Sequence, residues 1–409
     1  MKRSLWIVAL AVLLLGYGCR KEESPNPTPP YAGPDTAQHA LIMYLVGSNS
    51  LSWSLDGNAS QARQAVADGA LGENDRLVVF HDTYSGAQLY EFVRQGDGIA
   101  SQVVLKDYGA ICSTDTSQIE AIMRDIVKLV PARSYGIVFG AHGSGWLPTE
   151  LKDMKQRSVV QPSYLQLWNK PEDSQTRNFG PDNSTWIDIP DLARSIASIH
   201  FDFILFDACF MSSIEALYDF RTSADYIVAS PAEVLSKGFP YEQVVKLIFS
   251  DWPNLPAVCH AFVEAYASTT TPSAAVALIR TAGLEPLADA LAEIVRTFPN
   301  VVDADEVQFY DELQEHVFHD LGHYVAQLVS DSTLAGRFRT ALSGTVLVNE
   351  HTSQVYSKLY TWGGTWIPLE HSCGVNCYIP QSSLYPQFYA AYRRTAWAQR
   401  VWGDLDISF

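Results

Sequence analysis

A chain of 409 residues, 47% hydrophobic and 18% charged, is globular in composition and long enough for two domains or one large α/β core with an appendage. Its formal net charge of −17, with no basic cluster, excludes a protein that holds nucleic acid through phosphates, because that needs Lys and Arg to replace counterions. Bulk charge does not identify a substrate.

Lys2 and Arg3 precede an apolar run from Leu5 to Leu15 and then Gly16-Tyr17-Gly18-Cys19. Charge, a short apolar stretch and small residues make a secretory signal; a spanning helix needs roughly 20 apolar residues. Cys19 behind small residues resembles a bacterial lipobox, in which the Cys is acylated and becomes the mature N-terminus. Leu15 stands four before Cys19 instead of the usual three, and an ordinary signal peptide with an incidental Cys is the alternative. Arg20-Lys21-Glu22-Glu23 resembles the surface-export signals of bacterial lipoproteins. The expectation is a lipoprotein signal over 1–19 and a lipid anchor at Cys19, placing the protein at the cell envelope, on the outer membrane and facing outward. Pro25, Pro27, Pro29, Pro30 and Pro34 make 20–38 a stiff, solvated tether.

Five apolar runs follow: Ala40–Val46, Arg76–Phe80, Ser134–Gly140, Phe201–Phe206 and Tyr226–Ala229. Runs apolar on both faces suit a parallel sheet covered on both sides. Helical patterns lie between them, at Gln118–Leu129 behind the caps Ser113-Thr114-Asp115, at Ile189–Ile196 and at Ser212–Phe220. The predicted fold is α/β, a mostly parallel central sheet with helices on both faces, and such sheets place their sites beyond the carboxyl ends of the strands. Leu147–Thr185 interrupts the rhythm with a polar segment holding Lys152, Lys155, Arg157, Lys170 and Arg177, a length that marks a functional or flexible loop. After Trp252 helices are predicted over Ala257–Ala267, Leu284–Phe298 and Glu306–Leu328, then strands at Gly344–Val348 and Val375–Ile379 and a terminal helix. The catalytic domain is accordingly set at 39–252, with an α+β portion over 253–409 packed on it.

Two strand ends carry chemistry. The third run finishes in Gly140-Ala141-His142-Gly143-Ser144-Gly145-Trp146 and the fourth in Asp207-Ala208-Cys209-Phe210-Met211-Ser212. On neighbouring parallel strands, roughly 5 Å apart, His142 and Cys209 face each other across the sheet top. Cys209 sits just before a predicted helix whose dipole favours a thiolate, and the glycines after His142 let backbone N–H groups approach a reacting carbonyl. Each signal also has a plain reading, Cys209 as a small buried hydrophobe and His142 as an ordinary histidine before a glycine. Together they match the nucleophile and base of a cysteine peptidase. With Cys19 assigned to the anchor, Cys112, Cys209, Cys259, Cys373 and Cys377 remain, an odd number that leaves a thiol over in an oxidising compartment.

The order strand–His-Gly-Ser-Gly-Trp, then strand–Asp-Ala-Cys-Phe-Met-Ser, resembles the clostripain family of the caspase–hemoglobinase clan. Met43-Tyr44-Leu45 with Asn49 and Leu51, Ala229-Ser230-Pro231 with Gly238-Phe239-Pro240-Tyr241, Gly374–Pro380 and Trp402 extend the likeness along most of the mature chain. The resemblance implies a caspase-like core and a secreted cysteine endopeptidase acting on polypeptides. It makes Cys209 the nucleophile, His142 the acid–base partner, and the N–H groups of Gly143 and Cys209 the oxyanion donors. Asp207 falls at the floor of the primary specificity pocket, where relatives select Arg or Lys; a structural acid is the alternative. Phe239-Pro240 stands where the family often has Trp-Asp, so a second pocket acid has no counterpart and the basic preference stays open. Relatives are zymogens cut in a basic loop after the His motif, where Leu147–Thr185 lies; a plain surface loop is the alternative. No cofactor is expected. Clostripain uses calcium, but this chain has no EF-hand pattern, and its calcium dependence and oligomeric state are left open.

Two other readings stand beside it. His319 and His323 in the stretch HVFHDLGH have the spacing of a zinc-binding pair on a helix, with Asp320 in the place of a metallopeptidase Glu. Gly322 weakens such a helix and no third ligand is evident. A peptidase-like binding protein without activity is the other, against which the intact His142 and Cys209 speak.

Overall fold

Apolar runs without alternation become strands buried on both faces, and here they form the centre of a nine-stranded sheet. The computed structural model describes residues 36–151, 185–298, 302–359, 364–380 and 386–405; Cys19, most of the Pro-rich segment and nearly all of the polar loop 147–185 lie outside the described residues. In chain order the strands are β1 (Ala37–Val46), β2 (Asp75–Thr83), β3 (Gly86–Arg94), β4 (Ala100–Gly109), β5 (Ala132–Gly140), β6 (Phe201–Asp207), β7 (Ala224–Ala229), β8 (Ala275–Arg280), β9 (His319–Asp320) and β10 (Val346–His351). The sheet order is β10-β8-β7-β6-β5-β1-β2-β3-β4. The five central strands are parallel, and antiparallel pairings of β2 with β3, β3 with β4, β7 with β8 and β8 with β10 complete the edges. β11 (Gln354–Ser357) and β12 (Thr365–Pro368) form a small ribbon, and β13 (Asn376–Cys377) pairs with β9.

The helices are α1 (Ser52–Ala67), α2 (Thr116–Leu129), α3 (Ile189–Ser195), α4 (Ile214–Asp219), α5 (Tyr241–Ser250), α6 (Leu255–Ala267), α7 (Leu284–Thr297), α8 (Leu321–Leu328), α9 (Ser332–Thr345), α10 (Pro386–Tyr392) and α11 (Ala396–Trp402). From β1 the chain steps one way to β2, and from β5 through β6 to β7 it steps the other way. Right-handed crossovers then send the connecting helices to opposite faces. On one face α1 packs on α5 and α5 on α6; on the other α2, α3 and α4 pack in succession. The mostly parallel sheet with two helical layers is thus as expected. α2 starts as predicted, with the Asp115 side chain accepting the Gln118 N–H, and buries Ile119, Ile122, Met123 and Ile126.

Three features depart from the sequence reading. β3, β4, β8 and the long α1 were not foreseen, and β8 and β10, which lie beyond residue 252, finish the same sheet. The helix expected over Glu306–Leu328 is confined to α8. Upstream of it the Asp311 carboxylate accepts N–H groups of Leu313, Val317 and Phe318, drawing the backbone into a loop that a helix cannot share. The helix starts only where Asp320 caps it through the His323 N–H.

Candidate active site

Leu45 of β1 is paired with Gly140 of β5, and Gly140 with Asp207 of β6. Residues two positions further on, Gly47, His142 and Cys209, therefore leave the sheet at one level of its carboxyl edge. Between β1 and β5 the strand order reverses, and that crevice is where open α/β sheets place their sites.

The two motif loops are packed backbone to backbone. A β-carbon on Gly143 would run into the carbonyl oxygen of Cys209 and stand 3.0 Å from its nitrogen, so only glycine allows this approach. Gly145, at φ 56°, lies against Phe210 and Phe318. Phe210 itself has φ 59°, a left-handed conformation costing roughly 1–2 kcal/mol for a bulky residue. It is held there by its N–H bond to the Ala232 carbonyl (3.0 Å) and by stacking on Phe318 at 4.1 Å. The turn beyond, Phe210–Ser213, separates Cys209 from α4, which begins at Ile214. The expectation that Cys209 abuts a helix N-terminus is not met. The backbone of a neighbouring loop surrounds the thiol instead. Sγ accepts the Val234 N–H at 3.2 Å and lies 3.7 Å from the Val234 carbonyl oxygen, to which it can donate. Cys209 is fully buried under this segment.

His142 is 9% exposed. Its Nε2 lies 3.1 Å from the Ser50 hydroxyl, in the turn that follows β1, and Nδ1 is on the buried side of the ring. Asp207 is buried, its Oδ2 accepting the Tyr241 hydroxyl at 2.8 Å and the Phe239 N–H at 3.4 Å. Its neighbours Phe206 and Ala208 point to the opposite face, as strand alternation requires. There, with Tyr44, Phe139, Met211 and Trp186, they line an apolar cavity of about 70 Å³ that reaches His142. Glu233, next to Val234, accepts bonds from the Ser357 hydroxyl and the Lys358 N–H, which ties the segment over the thiol to β11.

Sequence reasoning brought Cys209, His142, Gly143 and Asp207 to one edge, and the structure places all four there. It missed Ser50 and Val234, whose parts depend on which turns the sheet sets side by side. The zinc alternative loses its premise: His319 is in β9, paired with Cys377, and only His323 is in the helix. Among the described residues no group of three or more His, Cys, Asp and Glu is placed to hold a metal ion, and no disulfide joins the cysteines.

The profile of the clostripain family matches residues 43–387. Among solved structures, an inactive zymogen C11 protease from Parabacteroides distasonis is 27% identical with a TM-score of 0.76, the match covering 90% of this chain and 99% of that one. A secreted C11 cysteine protease from Bacteroides thetaiotaomicron is 26% identical at a TM-score of 0.77, covering 90% and 99%. A structure of a secreted C11 cysteine protease from the same organism, in complex with an irreversible peptide inhibitor, is 25% identical at a TM-score of 0.75, covering 89% and 99%. A search of curated proteins gives no match.

Proposed function

Because this chain belongs to the clostripain family and is a cysteine endopeptidase, we propose that Cys209 is its nucleophile and His142 its acid–base partner. The observation that carries the assignment is the pairing of Gly140 with Asp207, which sets the two motif loops side by side at the sheet edge. The Cys209 thiolate attacks the peptide carbonyl, forming a C–S bond, while the N–H groups of Gly143 and Cys209 face the developing oxyanion. His142 protonates the leaving amine, then takes a proton from water as it releases the acyl group. Neither Cys209→Ala nor His142→Ala should hydrolyse a fluorogenic peptide, and Cys209→Ala should not be labelled by a thiol-directed peptide probe. Turnover by either variant overturns the assignment.

For specificity we infer a preference for Arg or Lys before the scissile bond, read by Asp207 as a charge-assisted pair. A second reading rests on the Tyr241–Asp207 hydrogen bond, which makes the carboxylate a tie between β6 and α5. The buried Cys209 under Val234 is in keeping with a latent chain, and the Parabacteroides relative is named an inactive zymogen; we place the activating cut of this chain in the polar loop 147–185. Mass spectrometry of chain termini after activation tests this; no cut within 147–185 removes it. The anchor at Cys19 is likewise proposed from its sequence motif, and failure of Cys19 to incorporate labelled fatty acid removes it. Among the described residues no helix is long and apolar enough to cross a membrane.

A further inference from the structure

The geometry points to Ser50 as a positioning residue for His142, an inference that rests on the Cys209–His142 reading. β1 and β5 are paired up to Leu45 and Gly140, so the turn after one strand lies against the loop after the other. That turn is braced at both ends. The Gly47 N–H bonds to the Asp82 carbonyl at 3.0 Å, and a β-carbon on Gly47 would collide with the Asp82 carbonyl oxygen at 2.6 Å. The Asn49 side chain donates to the Val46 carbonyl at 2.9 Å and accepts the Leu51 N–H at 2.8 Å, so the backbone on either side of Ser50 is bracketed by one side chain. The Ser50 hydroxyl is held 3.1 Å from His142 Nε2.

A neutral imidazole carries its proton on one nitrogen, and the partner of the other sets which. A hydroxyl can donate to or accept from Nε2, and we infer that Ser50 accepts the Nε2 proton. In that tautomer the lone pair is on Nδ1, a buried atom, and it is Nδ1 that exchanges protons with thiol, amine and water. When Nδ1 takes the thiol proton the ring becomes cationic, and the Ser50 oxygen still accepts from Nε2. Ser50 thereby supports both the tautomer needed before attack and the imidazolium formed during it. Its part in the reaction runs through His142.

Ser50 is exposed and its side chain packs no core, so Ser50→Ala removes the hydroxyl without threatening the fold. In the activated full chain, kcat/KM for a fluorogenic peptide should fall roughly three- to tenfold with KM little changed. The alkaline limb of the pH profile should move down by roughly half a unit, because the imidazolium loses an acceptor. Ser50→Thr, which keeps the hydroxyl, should restore both. Nitrogen NMR of labelled imidazoles should find the His142 proton at Nε2 in the parent chain and shared between nitrogens in Ser50→Ala. An unmoved pH limb in Ser50→Ala, a failure of Ser50→Thr to rescue, or a proton at Nδ1 in the parent overturns the inference. Turnover by Cys209→Ala instead overturns the underlying reading, so the two failures are distinguishable.

Discussion

Glu215 lies on α4, just beyond the turn that follows Cys209, and burial pushes its carboxyl up to about 7. Bonds from the Ser213 hydroxyl and the Tyr378 N–H act the other way without cancelling the lost solvation. Cys377 and Tyr392, both pushed up themselves and so neutral, face it without supplying a cation. For an acid whose pKa is higher folded than unfolded, the stabilisation is complete below the unfolded value and is lost as pH rises through the folded one. The shift from 4.5 to about 7 corresponds to a loss on the order of 3 kcal/mol across that window. The urea midpoint of the parent chain should therefore fall between about pH 4.5 and pH 7 more steeply than that of Glu215→Gln. Parallel curves for the two chains would show that Glu215 is ionised at no cost. None of this was legible in the sequence, where Glu215 is one of many acids, whereas His142 and Cys209 were, since each ends an apolar run at a glycine- or serine-rich turn. Ser50 was hidden for a different reason: it meets His142 from 92 residues away, and only the order of strands makes them neighbours.

At the level of elements, the central parallel strands could be read because they are buried on both faces, while β4 alternates between covered and exposed positions and blended into the polar background. α1 was missed because its buried face is built largely of Ala and Asn, with Leu55 and Val66 as its only large apolar groups. The join between β6 and α5 decides the specificity question. Asp207 ends β6 and bonds to Tyr241, the first residue of α5, so the same carboxylate is placed to hold two elements together or to receive a substrate cation. If it receives the cation, Asp207→Asn should lower turnover of Arg peptides by roughly tenfold or more and leave labelling by a small alkylating agent intact. If it only ties the elements, the variant should lose stability while the ranking of peptides differing in the residue before the bond stays unchanged. Initial rates on matched fluorogenic peptides separate these outcomes, and faster cleavage after Ala or Gln than after Arg or Lys in the parent chain rules out the cation pocket.

Across the whole molecule, the polar loop 147–185 interrupts the chain between β5 and β6, and its two ends are secured. The Thr149 N–H bonds to Asp188 Oδ1 at 2.8 Å, and the Thr114 hydroxyl bonds to the Thr185 carbonyl at 2.9 Å. A cut between them leaves β5, β1, β2, β3 and β4 on one piece and β6, β7, β8 and β10 on the other, joined through the pairing of Gly136–Gly140 with Phe203–Asp207. The cut protein should elute as one species under native conditions. Its urea midpoint should rise with protein concentration while that of the uncut chain stays constant, because only the former must reassociate to refold. A concentration-independent midpoint for the cut protein would mean that the halves remain covalently joined. The seam also runs between His142 and Cys209. If the proposed cut and the proposed dyad both hold, the cut enzyme is a heterodimer encoded by one gene, with its base contributed by one subunit and its nucleophile by the other. Neither subunit could be a peptidase alone, recovery after unfolding would follow second-order kinetics, and two inactive preparations, one lacking the histidine and one the thiol, could regain activity by exchanging halves.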